Sequence, residues 1–387
     1  MSIPDVVVTR KAEIRIERGH PWVFRSDVVK ADVEPGAVVR VLGPKQRPLG
    51  FAFFSSRSEI RLRIIERGPT LDEGFLKQRL AAAVDWRRLV APDAEAVRLV
   101  HGEGDGLPSL VVDRYGDHLV VQTLSQATER LKSEIVLGLV ELLHPAGILE
   151  RNDPRVRELE GLERRVGLLH GEVPEQVEVR EDDLVFAADL WKGQKTGLFL
   201  DQRENHRIAR GYARGRVLDG FTYNGGFALH AARQASEVLA VDASADAVAR
   251  TRDNAARNGL SNVTAREANV FDLLKQLDRD HERFDTVILD PPAFAKSKGA
   301  VEKAVRGYKE INLRALKILN RGGCLITCSC SYHVHETDLE AILSDAAADA
   351  CATVTVVEKR RQARDHPIVL GVPETYYLKC FVLRRLA

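Results

Sequence analysis

From about residue 184 onward, short apolar runs alternate with stretches of helical periodicity, and this alternation restricts the fold more than any other feature of the chain. The runs are GRVLDGF, SEVLAVDA, NVTAREAN, FDTVILD and GGCLITCSCS; SADAVARTRDNAARNG and YKEINLRALKILN lie between them. Strands separated by helices cannot be joined by hairpins, so the pattern predicts an α/β fold with a parallel, doubly wound sheet. In such a sheet the ligand lies at the carboxyl ends of the strands, and functional residues are expected there.

The chain has 387 residues, more than one core usually serves, and the upstream part reads differently. Up to about residue 70, short runs such as VVVT, EIRI, WVF and EIRLRII alternate with Pro and Gly, which predicts a small antiparallel β domain. Residues 71–183 mix a helical stretch, FLKQRLAAAVDWRRLV, with strand-like SLVVDRYG and HLVVQTLS and a further helix, which predicts a small α+β domain. Three domains are therefore expected, over 1–70, 71–183 and 184–387. The glycine-rich GEGDGLP precedes a strand and lacks a following helix, so it reads as a plain loop.

A composition of 44% hydrophobic and 29% charged residues excludes a disordered or fibrous chain. The five cysteines, Cys324, Cys328, Cys330, Cys351 and Cys380, are odd in number and crowd into the last third, which argues against a secreted disulfide framework. No stretch approaches about 18 apolar residues and no leader pattern is visible, so a cytoplasmic protein without a membrane span is expected. Net charge is only +1, yet residues 1–70 hold thirteen Lys or Arg against eight Asp or Glu, an excess of five that favours contact with phosphates.

The first run of the α/β region ends in VLDGFTYNGGFALHAA, with Asp219 and Gly220 at the strand tip and Gly225 and Gly226 before a helix. Asp242 closes the second run, where an acidic side chain can bond both hydroxyls of a ribose. The loop is not GxGxxG: Phe221, Thr222, Tyr223 and Asn224 are too bulky for close passage of a pyrophosphate. A nucleoside cofactor without phosphates, such as S-adenosylmethionine, fits better than a dinucleotide. Asn269 and Val270, after the third run, stand where an adenine ring would be met, or simply in a structural loop.

The fourth run ends in LDPPAFAKSK, whose prolines stiffen a turn that holds the Asp290 carboxylate against a planar substrate. In the fifth, LITCSCSYHVHE, Cys328 and Cys330 are two apart, and on an extended strand both would face one side. Cys330 lies nearer the carboxyl end and is better placed to reach the cleft. Zinc bound by Cys328, Cys330, His333 and His335 is the rival reading, disfavoured because four ligands within eight residues would strain a tetrahedral site. A Cys and an Asp together suit methylation at carbon 5 of cytosine. That carbon becomes nucleophilic only after a thiolate adds to carbon 6 with a carboxyl group bonded to ring nitrogen 3.

These motifs resemble the bacterial 23S ribosomal RNA cytosine-5 methyltransferases, which join a PUA domain, a central α+β domain and a Rossmann-like catalytic domain. The resemblance runs through ERGHPWVFRSDV, GQKTGLFLDQRENH, DGFTYNGGF, LDPPAFAKSK, RGYKEINLRALKIL, CSCS and DHPIVLGVPETYYLK. It implies that Cys330 is the nucleophile and Asp290 contacts the base. It also implies that Gln202 and Arg203 close over S-adenosylmethionine, that Asp219 and Gly220 line it with Tyr223 and Asn224, and that Asp242 holds its ribose. An RNA-binding role for His20, Trp22 and Arg25, a 23S rRNA partner and a homodimer are further implications. The sequence departs from the family at Asn269, where Asp is frequent, at Ala293, where Lys is common, and in the second thiol of Cys328.

Two alternatives stay open on sequence alone. One is a methyltransferase acting on a guanine or adenine nitrogen, which would need no thiol; the other is an RNA-binding assembly factor with a vestigial pocket.

Overall fold

Thr9 decides how the chain begins. In the computed structural model, which describes residues 3–295 and 298–386, its hydroxyl accepts the Ala12 amide at 3.3 Å and starts a helix. The first elements are β1 (Asp5–Val8), α1 (Arg10–Glu17), β2 (Trp22–Phe24), β3 (Val28–Lys30), β4 (Val38–Leu42), β5 (Pro48–Phe54) and β6 (Ile60–Glu66). They build one sheet in the order β2-β6-β5-β4-β1-β3. The EIRI run therefore belongs to a helix, contrary to the strand expected: Ala12 and Ile16, four apart, both face the core, and the cap outweighs four residues of alternation. β1 and β4 are parallel in a sheet otherwise antiparallel.

Next come α2 (Phe75–Val90), β7 (Ala96–His101), β8 (Leu110–Tyr115), β9 (His118–Thr123), α3 (Gln126–Arg130), α4 (Lys132–Leu143), β10 (Gly147–Asn152), α5 (Val156–Leu159) and β11 (Arg165–Gly171). The five strands form a sheet ordered β11-β10-β9-β8-β7. Leu76, Leu80 and Ala83 of α2 and Ile135 and Leu139 of α4 pack with Leu99, Val112, Val121 and Ile148 of the strands. Each large side chain so buried stabilises by about 2 kcal/mol. GEGDGLP is a loop with a single 3-10 turn, Gly102–Asp105.

By its contacts the chain divides into two compact units. The first holds residues 1–179, 188–200 and 364–375, and so contains both sheets above; the second holds 180–187, 201–363 and 376–387. A hairpin of β12 (Gln176–Glu181) and β13 (Leu184–Asp189) spans the boundary in sequence.

The second unit continues with α6 (Arg203–Tyr212), β14 (Arg216–Gly220), α7 (Gly226–Ala232), β15 (Glu237–Asp242), α8 (Ala245–Arg257), β16 (Val263–Glu267), α9 (Val270–Arg279) and β17 (Phe284–Leu289). It ends with α10 (Val301–Ile318), β18 (Leu319–Ser329), α11 (Glu336–Asp349), β19 (Val354–Arg361) and β20 (Lys379–Arg385). Sheet order is β16-β15-β14-β17-β18-β20-β19, with the first five strands parallel as expected. The finding beyond that expectation is β20, antiparallel to both neighbours. Because β14 pairs with both β15 and β17, the order reverses there and opens a crevice at the carboxyl ends. No helix among the described residues is long and apolar enough to cross a membrane.

Candidate active site

Asp219 and Gly220 end β14, and the chain then turns through residues 221–225 into α7. Three residues of this turn are left-handed, Phe221 (φ 69°), Tyr223 (φ 53°) and Gly225 (φ 88°), although only one is glycine. A non-glycine residue there costs roughly 1–3 kcal/mol and persists only where its surroundings over-determine it. Here they do. Asp242, at the end of β15, accepts the Tyr223 amide at 3.0 Å on one oxygen and the Ser244 amide at 3.0 Å on the other. From α8, Thr251 donates to the Tyr223 carbonyl at 3.1 Å and Asn254 to the Asn224 carbonyl at 3.0 Å. Each Asp242 oxygen keeps a second lone pair for a ribose hydroxyl.

Gly220 lies under this loop; a Cβ on it would stand 3.1 Å from both Leu289 and Val270. Val270 is thereby a packing residue beneath the loop, in one core cluster with Leu289. Asn269 caps α9, its side-chain oxygen accepting the Phe271 amide at 2.9 Å. Asn and Asp cap equally well, which accounts for Asn at this position. Gln202 and Arg203 are buried where α6 begins, and Asn205 donates to the Gln202 side-chain oxygen Oε1 at 2.6 Å.

The electrostatics of the crevice are acidic. Asp219 is fully buried; one oxygen accepts the Thr222 hydroxyl at 2.6 Å, and the other has no hydrogen-bond partner among the described residues. Burial, with the nearby Asp290 carboxylate adding to it, pushes the Asp219 pKa up to about 7. Such a site repels a pyrophosphate and welcomes a cation. S-adenosylmethionine carries a positive sulfonium and an ammonium group, so the residues present fit it.

Ionising Asp219 in the folded apoprotein costs on the order of 4 kcal/mol, at about 1.4 kcal/mol per pH unit above the unfolded value of 3.8. Below that value both states are protonated and nothing is lost. Between about 4 and 7 the unfolded chain ionises first, so stability falls as pH rises and then levels off. In differential scanning fluorimetry, the melting temperature of Asp219→Asn relative to the parent should therefore climb by several degrees from pH 5 to pH 8. A constant difference would show that Asp219 keeps an ordinary pKa.

Across the crevice, Asp290 follows β17 directly, its amide 3.4 Å from the Gly220 carbonyl. Cys330 follows β18, half-buried, with its thiol 3.9 Å from the carbonyl of Pro291. The two predicted catalytic residues thus stand on adjacent strand ends. Because β18 stops at Ser329, strand alternation does not carry to Cys330, and the two thiols part. Cys328 is buried, paired across the sheet with Cys380, and burial followed by that second thiol pushes its pKa well above the usual range. Ser331 is fixed by the Tyr308 hydroxyl at 2.9 Å and donates nothing to the cleft's charge. Of LDPPAFAKSK, Lys296 and Ser297 lie outside the described residues.

Cys328, Cys330, His333 and His335 do not converge on a point a metal could occupy. Among the described residues that arrangement is met by Glu181, His206 and His230, with ligand atoms within 4.8 Å of one another. Sequence reasoning missed this group. His206 Nδ1 is 2.8 Å and His230 Nε2 3.1 Å from one Glu181 oxygen. Burial would raise Glu181, but the two rings hold it well below the usual carboxylate range. Burial alone would likewise depress His206, and Glu181 more than offsets it. The cluster is an ion-paired support for the cofactor turn: a Cβ on Gly226 would lie 2.5 Å from the His206 ring.

The profile of the S-adenosylmethionine-dependent methyltransferases matches residues 160–382, and that of PUA-like domains matches residues 6–67. A Tolumonas auensis protein named ribosomal RNA large subunit methyltransferase I is 39% identical over 393 residues, covering 98% of this chain and 99% of its own. A solved chain from Streptococcus mutans, described as a SAM-dependent methyltransferase, superposes with a TM-score of 0.84 at 22% identity, over 99% of this chain and 100% of that one. A second solved methyltransferase chain, complexed with S-adenosylhomocysteine, gives the same values.

Proposed function

We propose a reaction for this chain from the premise that it belongs to the S-adenosylmethionine-dependent methyltransferase family. It methylates carbon 5 of a cytosine in 23S ribosomal RNA, in the cytoplasm, with Cys330 as covalent nucleophile. The carrying observation is the Cys330 thiol against the Pro291 carbonyl, one residue from Asp290. The name of the Tolumonas relative supports large-subunit rRNA as the substrate.

Bound S-adenosylmethionine supplies a methyl group made electrophilic by its sulfonium. Asp242 holds the ribose, Gln202 and Arg203 cover the cofactor from the start of α6, and Asp219 faces its positive charge. Cys330 Sγ adds to carbon 6 of the cytosine while the Asp290 carboxyl bonds nitrogen 3, which gathers electron density at carbon 5 for methylation. Loss of the carbon 5 proton then expels the thiolate and restores the ring. Methylation of a nitrogen would draw on none of the Cys330 chemistry.

The first 70 residues serve as the RNA-binding module. Arg25, Lys30 and Arg61 line a pocket of about 440 Å³ suited to backbone phosphates. Trp22 is half-buried and donates its indole N–H to Glu103 at 2.9 Å, so its edge is tied down and the neighbouring cations make the better RNA contact.

Ribosomal RNA transcribed with 5-fluorocytidine tests the reaction, because fluorine cannot leave carbon 5 as a proton does. Cofactor-dependent, denaturation-resistant adducts whose cross-linked peptide contains Cys330 are expected. Continued methylation of ordinary rRNA with no adduct on the fluorinated RNA would favour the nitrogen chemistry instead.

A further inference from the structure

We propose that Lys379 is the buried counter-ion of the Cys330 thiolate, and hence a positioning residue for the nucleophile; this rests on the reading of Cys330 just given. Lys379 opens β20, and its Cα partner across the sheet is Ser329, the last residue of β18. That register brings its ammonium to the strand end from which Cys330 projects. Nζ donates to the carbonyl of Ser331 at 2.8 Å and to that of Tyr377 at 3.0 Å. Cys330 is thus one residue from the carbonyl that anchors the cation.

Lysine is almost never fully buried unless paired, and Lys379 is only 2% exposed. Its hydrogen-bond partners are neutral carbonyls, which account for two of its three N–H bonds, and no carboxylate among the described residues lies within ion-pair distance. Cys330, Asp338 and Glu336 all act on it through space, and of these Cys330 is the direct chain neighbour of Ser331, whose carbonyl holds the ammonium at 2.8 Å. The acidic group that best justifies this buried cation is therefore the thiol.

The need is equally visible from the side of the sulfur. Asp290 precedes the Pro291 turn against which the thiol rests, and a carboxylate there disfavours a second anion. Tyr308, on α10, bonds the neighbouring Ser331 hydroxyl at 2.9 Å, and its own hydroxyl pKa is raised, first by burial, so it carries no compensating charge. Burial brings Lys379 down to about 8, which leaves it mostly protonated at neutral pH. Thiolates beside a cation form at lower pH than the usual value of about 8.5.

The test is the pH dependence of iodoacetamide alkylation at Cys330 in the full-length protein, quantified by mass spectrometry with fragmentation to separate it from Cys328. The parent should show a midpoint below about 7.5, against about 8.5 for a free thiol. Lys379→Met should raise it by at least about one pH unit, and Lys379→Arg, which keeps the charge, should restore most of the shift. A parent midpoint at or above 8.5, or one midpoint shared by parent and Arg and Met variants, overturns the proposal. Should the Met variant fail to fold by circular dichroism, the parent midpoint decides alone. Alkylation needs no methyl transfer, so the two readings fail separately: a Lys379-dependent midpoint together with full activity in Cys330→Ser would sink the nucleophile and leave the ion pair standing.

Discussion

Replacing Cys330 with serine is expected to lower methyl transfer to 23S rRNA by roughly 1000-fold or more, the scale on which loss of a nucleophile is felt. Replacing Cys328 in the same way should leave the rate within about tenfold. The contrast rests on position. Both are thiols on one short segment, but β18 ends between them, and only Cys330 reaches the crevice beside Pro291. Cys328 is buried against Cys380, where ionisation is strongly disfavoured. Serine at 330 keeps nearly the same shape and loses the nucleophile, since a hydroxyl yields almost no alkoxide near neutral pH. Single-turnover transfer of labelled methyl groups to undermodified rRNA measures both variants. Retention of more than a tenth of the rate by Cys330→Ser would remove the covalent mechanism.

The parts of this arrangement that the sequence disclosed are those where local pattern and tertiary role coincide. Strands of a parallel sheet are buried on both faces, so β14, β15, β17 and β18 each carry an apolar stretch, and the candidate residues stand at or just after their carboxyl ends. Where side chains serve two masters the pattern misleads. EIRI alternates like a strand, yet a capping threonine twelve atoms of backbone away makes it helix. Asn269 reads in sequence as an adenine contact or a loop residue, and in the fold its side chain caps α9. Lys379 sits in the polar-looking YLKC, and nothing local says that pairing with Ser329 will bury it. Glu181 lies 25 residues from His206 and 49 from His230 in sequence, and only the fold brings the three together.

Asp290 carries the second large effect, because the proposed mechanism has it bond the base while its charge also bears on Asp219. Asp290→Asn keeps the size and a hydrogen-bond donor toward ring nitrogen 3, but it cannot share a proton as a carboxyl group does. General acid–base assistance of this kind is worth roughly 100- to 10,000-fold, and a loss in that range is expected in single-turnover methylation. The substitution also removes one of the charges that hold Asp219 ionisable only near pH 7. The Asp219 carboxyl should then ionise at lower pH, and the associated loss of thermal stability, which still begins near the unfolded value, should level off at lower pH and be smaller in total in a titration of melting temperature against pH. Calorimetry with S-adenosylhomocysteine separates the two consequences, since binding should survive while chemistry fails. A methylation rate within about fivefold of the parent would mean that nitrogen 3 requires only a hydrogen-bond donor. An unmoved pH midpoint would mean that the two carboxylates do not share one electrostatic site.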